Sequence, residues 1–170
     1  MKSVWPRILE RRGVPITESE VAKFEYDLGF LLPADYRSVL LATNGGQVVV
    51  DHEIPVEGVP GAFVHSLFAF SRPSPYVGIK EARRQQELDR FCPRQALAIA
   101  NDMGTGEYYL MLVGGNKGAV YFLYHEDRES VSEVEWRSNQ IQMPENMIKV
   151  ASDFESLGEL ILAHSNWQQE

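Results

Sequence analysis

Residues 107–113, EYYLMLV, and residues 119–125, AVYFLYH, are two apolar, aromatic-rich runs separated only by GGNKG. Such runs joined by a short glycine-rich link read as an antiparallel β-hairpin. Further strand-like segments surround it: QVVVD near Val48, AFVHSLFAF around Phe68, QALAIA around Leu97 and VSEVEW around Val134. All are rich in β-branched and aromatic residues and bounded by turn chemistry. In VSEVEW the alternation predicts Val134 and Trp136 on a buried face and Glu133 and Glu135 on the reverse.

Helices are predicted before, within and after this strand-rich region. Thr17 and Glu20 have capping-box spacing, Val21, Phe24 and Leu28 form one apolar stripe, and Gly29 supplies a left-handed stop that Phe30 can pack back on. After a Leu31-Leu32-Pro33 corner, Pro33 suits a second helix start, and Tyr36, Val39, Leu40 and Thr43 give its inner face. A middle helix is expected over about residues 76–91, with Ser74 and Pro75 at its start and Pro93 beyond its end. Ser152 and Glu155 repeat the capping-box spacing before a terminal helix bearing Phe154, Leu157 and Ile161.

Helices, then mainly strands, then a helix is an α+β order. The expected architecture is an antiparallel or mixed five- to six-stranded sheet, with an N-terminal helix pair, a middle helix and a C-terminal helix packed on it. At 170 residues, one domain over positions 1–170 is expected. Residues 52–62, HEIPVEGVPGA, read as a long surface loop.

The net charge of −8 is unevenly spread: residues 1–125 hold 13 basic and 14 acidic side chains, residues 126–170 hold 3 and 10. An acidic C-terminal third disfavours direct nucleic-acid binding, which draws on clustered Lys and Arg, and suits a basic protein partner. Composition alone favours the plainer reading, that acidity keeps the chain soluble. No apolar run approaches the ~18 residues of a membrane span, and MKSVWPRILERRG has no signal-type apolar block, so a cytoplasmic location is expected. Cys92 is the only cysteine, which rules out an intramolecular disulfide and a cysteine-based zinc site.

Motifs with chemical potential are few. Asn44-Gly45-Gly46 follows a helix, whereas a phosphate-cradling loop precedes one, so a helix stop is the better reading. Gly114-Gly115-Asn116-Lys117-Gly118 precedes a strand and reads as a turn. The histidines His52, His65, His125 and His164 are scattered, and His125-Glu126-Asp127 lacks a second His one turn on, so no metal site is expected. Cys92 lies at a helix end with no base beside it and reads as a structural thiol. Glu25, Asp102 and Glu107 are acid–base candidates only if the fold converges them, and no spacing demands that. A solvated face accounts for Glu133 and Glu135 as well as a binding face does.

The run PITESEVAKFEYDLGFLLPADYRSVLLATNGG closely resembles the opening of the SUKH superfamily, shared by fungal cell-wall synthesis regulators and many bacterial toxin-immunity proteins. The likeness rests on Phe24-Glu25, Leu28-Gly29, Leu32-Pro33, Tyr36 and Asn44-Gly45-Gly46. Residues 96–126 are similar to the family's central hairpin, with an acidic turn at Asp102, and FESLGELI matches its last helix. Residues 51–91 and 128–149 match less clearly.

The resemblance implies a non-enzymatic binding module without cofactor or metal, a monomer or weak dimer. It would neutralise a cognate toxin, commonly a basic nuclease, through an acidic surface. The alternative within the same likeness is a regulatory or scaffold domain with no toxin partner. The partner-contact residues expected on this reading are Glu126, Asp127, Glu129, Glu133 and Glu135, with Asp102 and Glu107 on the adjoining hairpin.

Overall fold

Short segments far apart in the chain pair into one seven-stranded antiparallel sheet whose spatial order is the chain order. The coordinates are a computed structural model that describes residues 3–10, 12–49, 53–70, 78–138 and 143–165. In chain order the elements are α1 (Trp5–Ile8), β1 (Leu9–Glu10), α2 (Glu18–Leu28), α3 (Ala34–Thr43), β2 (Gly46–Val48) and β3 (Ser66–Leu67). Then follow α4 (Ile79–Asp89), β4 (Ala96–Asn101), β5 (Gly106–Met111), β6 (Val120–Tyr124), α5 (Glu133–Arg137), β7 (Ile148–Ala151) and α6 (Phe154–Ala163).

The α+β class stands, with more strands than the five or six expected. The additions are the edge strands β1 and β7, two and four residues long, which carry too few side chains for a periodic signal and are defined by backbone pairing. The hairpin forms as read, with Leu110 opposite Val120 and Tyr108 opposite Phe122. Its link spends its amides internally, Lys117 N–H on the Gly114 carbonyl and Gly118 N–H on that of Met111.

Both faces of the central strands are buried, which is why they read as continuous apolar runs. Tyr108 lies on one face and donates its hydroxyl to the Phe63 carbonyl at 2.9 Å. Tyr109, on the other, meets the Phe91 ring edge-on at 6.3 Å. The 52–62 segment is more than a surface loop, because Ile54, Val59 and Ala62 are buried in it; His52 lies outside the described residues.

The helix starts and stops are local chemistry. Thr17 and Glu20 form the full capping box, and Gly29 closes α2 at φ 77°. Asn44 closes α3 at φ 48°, and Gly45 follows at φ 75° where a Cβ would stand 2.7 Å from the Ala69 nitrogen. Glu25, buried, accepts the Leu32 N–H at 2.9 Å and so fixes the α2–α3 corner. The middle helix begins at Ile79; Ser74, Pro75 and Tyr76 lie outside the described residues.

At α6 the expected inner face is correct, since Phe154, Leu157 and Ile161 are buried, but the cap is not Ser152. Asp153 accepts the Ser156 N–H at 2.7 Å, while Glu155 turns away to accept the Val4 N–H at 2.7 Å. Asp35 of α3 also reaches the Phe154 N–H at 3.1 Å, and Trp5 stacks on Phe154 at 4.4 Å, so α1, α3 and α6 lock together.

Candidate functional site

VSEVEW is a helix, not a strand. Ser132 and Glu135 form a complete capping box that satisfies the first N–H groups of α5, and this local chemistry overrides the alternating pattern. The expected faces change accordingly: Trp136 is buried at 8 % exposure, whereas Val134 is 82 % exposed.

The segment carrying α5 is pinned along the chain that follows α4. Val131 N–H reaches the Arg90 carbonyl at 3.1 Å, and the Trp136 indole N–H reaches the Cys92 carbonyl at 2.9 Å. The Gln95 amide reaches the Ser138 carbonyl at 3.2 Å, and the Arg83 guanidinium lies 5.2 Å over the Trp136 ring. Asn146 ties on the next segment by donating to the Asp127 carbonyl.

Beneath this segment the Arg128 guanidinium lies 4.1 Å over Phe91 while pairing with Glu107 at 2.6 Å. The Tyr109 hydroxyl donates to Glu107 at 2.7 Å, and burial raises its pKa, so it remains a donor. His125 Nε2 stands 3.9 Å from the other Glu107 oxygen.

The expected contact residues therefore divide. Asp102 is buried and shapes the β4–β5 turn by accepting the N–H groups of Gly104, Thr105 and Gly106 at 3.2, 3.0 and 2.9 Å. Glu107 is tied to Arg128 and Tyr109. Exposed Glu133 pairs with Arg137 at 2.8 Å, and exposed Glu135 caps Ser132, whose hydrogen bonds hold its carboxyl below the usual range. Glu126, Asp127 and Glu129 are exposed and have no side-chain partner among the described residues.

Alongside them runs an open groove of about 500 Å³, lined by Phe91, Glu129, Val131, Met143, Pro144, Glu145 and Asn146. Its apolar lining was not anticipated from sequence, because these residues come from three separate stretches with no shared pattern. A second cleft, of about 630 Å³ beside β1 and β2, is lined by Arg7, Glu10 and His65 among others and presents both signs of charge.

The acid–base candidates do not assemble into a shared set of bonds: Glu25, Asp102 and Glu107 are each engaged with different partners. Among the described residues no group of three or more His, Cys, Asp or Glu side chains is arranged to hold a metal ion. Cys92 is buried, accepts from the Gln86 amide at 2.8 Å, and burial pushes its thiol up to about 12, so it stays protonated at neutral pH. No helix of the described residues is long and apolar enough to cross a membrane.

None of the curated proteins compared with the chain matches it. A family model does match, over residues 15–158, from the segment before α2 into α6, and the chain accordingly belongs to the SMI1 / KNR4 family (SUKH-1).

Proposed function

We propose that this chain is a non-enzymatic, immunity-type binding module, one domain over residues 1–170. It holds a basic toxin protein, a nuclease domain in the leading version, in the cytoplasm as a monomer or weak dimer. Its contact face is the acidic stretch from Glu126 to Arg137. The observation that carries this reading is the presentation of Glu126, Asp127 and Glu129, exposed and without side-chain partners among the described residues, on a segment fixed to the body by Val131 and Trp136.

Charges held this way keep their field for a partner and cost little ordering on association. A nuclease must neutralise phosphates with clustered cations, so an acidic face complements the surface it uses. Glu133 and Glu135 extend that face, although each is engaged locally. On the adjoining hairpin Asp102 shapes the β4–β5 turn, and Glu107 holds Arg128 of the acidic stretch.

The test is co-expression with the product of the neighbouring reading frame. Rescue of growth and recovery of a 1:1 complex support the immunity reading. A neighbouring product that is neither toxic nor bound points instead to the regulatory reading.

A further inference from the structure

The groove beside the acidic stretch has features that charge alone does not require. Phe91, Val131, Met143 and Pro144 make an apolar floor, and both of its charged lining residues, Glu129 and Glu145, are acidic and exposed. Arg128, stacked on Phe91, is neutralised by Glu107 at 2.6 Å and does not oppose their field.

The walls are tied to each other. Asn146 donates to the Asp127 carbonyl, Met147 N–H closes a turn on the Pro144 carbonyl at 3.0 Å, and Val131 is held to Arg90. Phe91, Val131 and Pro144 also line a second, smaller cleft, whose charged residues Arg90, Arg94 and Glu135 are of both signs.

We infer that this groove takes one aromatic or large aliphatic side chain of a protein partner, next to Lys or Arg residues that pair with Glu129 and Glu145. Buried apolar anchors ringed by charge carry most of the energy in protein interfaces, and a Met in the floor adapts to the shape of the anchor. The volume, on the ~300–1,000 Å³ scale of binding clefts, accommodates such a side chain with its neighbours. A nucleic acid does not fit, because the groove offers the carboxylates of Glu129 and Glu145 where phosphates need cations. This inference deepens the proposed function and rests on it for the biological partner, but the groove chemistry is testable without a toxin.

The probes are three peptides, acetyl-Arg-Lys-Phe-Lys-amide, its Phe-to-Ala counterpart and acetyl-Glu-Glu-Phe-Glu-amide, titrated into the full ¹⁵N-labelled chain. Amide shifts are expected to centre on Val131, Glu145 and Asn146, with the Ala peptide roughly tenfold weaker, as loss of one buried aromatic implies. The acidic peptide should be weaker still. Val131→Ser, at a position 41 % exposed, should erase the difference between the Phe and Ala peptides, and Glu129→Gln with Glu145→Gln the difference between basic and acidic ones. Equal binding of the Phe and Ala peptides, or shifts centred on the cleft around His65, would overturn the inference. If a cognate toxin is captured with affinity indifferent to Val131→Ser and Met143→Ser, the groove assignment fails while the immunity reading survives. Failure to find a toxin leaves the peptide result decisive for the groove.

Discussion

Gln86 holds its side-chain carboxamide against the edge of β4, accepting the Ala98 N–H at 3.2 Å and donating to the Ala96 carbonyl at 3.1 Å. β3 pairs with Ala100 and Asn101, and the next residue, Phe68, gives its N–H to the Ile99 carbonyl at 2.7 Å; at Ala98 and Ala96 a side chain from α4 takes the place of a strand. Gln86 is 1 % exposed, and Arg83 gives Ala96 a second donor at 3.3 Å, so Ala98 is the group that depends on it. Replacing Gln86 by Leu keeps the volume and leaves a buried N–H without its acceptor. A loss of about 1–3 kcal/mol in urea unfolding is expected.

Asn44 combines conformation and bonding. At φ 48° it closes α3, its Oδ1 accepts the Phe70 N–H at 2.6 Å, and its amide donates to the Val14 carbonyl at 2.5 Å. Asn44→Gly removes both bonds and keeps the left-handed turn easy, while Asn44→Ala adds the left-handed penalty of about 1 kcal/mol. Both variants should melt lower, with Ala below Gly by about 2–4 °C in a chain of this size, read by thermal denaturation.

Cys92 sets an alkaline limit. Its folded thiol, pushed up to about 12 by burial, keeps a proton that the unfolded chain releases near pH ~8.5. The folded state therefore binds more protons over that interval, and stability falls as pH rises, by up to about 1.4 kcal/mol per unit. The contribution is fully present below pH ~8.5. Buried Tyr36 and Tyr108, also raised by desolvation, add their slope only above pH ~10. Cys92→Ala should flatten the interval between about pH 8.5 and 10 in denaturant titrations and leave the steeper region above it.

Trp136 fixes the acidic stretch. Trp136→Phe keeps a buried ring but loses the bond to the Cys92 carbonyl, at a cost of about 1 kcal/mol. The loss should be local: hydrogen exchange at Val131 and along α5 rises several-fold, while strands β4 to β6 keep their protection.

What could be read in the sequence was local in the chain. The Thr17–Glu20 box, the Gly29 and Asn44 stops, the inner faces of α2, α3 and α6, and the hairpin each rest on residues within a few positions of one another. Where two local signals competed, at VSEVEW, the Ser132–Glu135 box won over alternation because it supplies hydrogen bonds that a solvated strand lacks. Asp102 looked like a surface acid, yet a carboxylate ahead of Gly104-Thr105-Gly106 is the acceptor that turn needs. Glu107 is claimed by Arg128, 21 positions on, and the groove floor joins Phe91 to Val131 and Met143. No sequence period links those positions; only the fold does.

The division among the carboxylates can be resolved kinetically. The side chains of Glu126, Asp127 and Glu129 have no partner among the described residues, so converting them to Gln, Asn and Gln should leave folding stability within about 0.5 kcal/mol. Against a basic toxin the same change should lower the association rate about tenfold at low salt. The gap should close at about 0.5 M salt, where the screening length is only a few ångströms, and dissociation should change little. Glu107→Gln should behave in the opposite way. It weakens a half-buried pair with Arg128 and costs about 1–3 kcal/mol of stability, with little effect on the association rate or its salt dependence. Stopped-flow association at two salt concentrations, with unfolding curves for both variants, separates the charges that meet a partner from the one that supports the surface beneath them. Equal salt slopes for the triple variant and the parent would move the contact face away from residues 126–129.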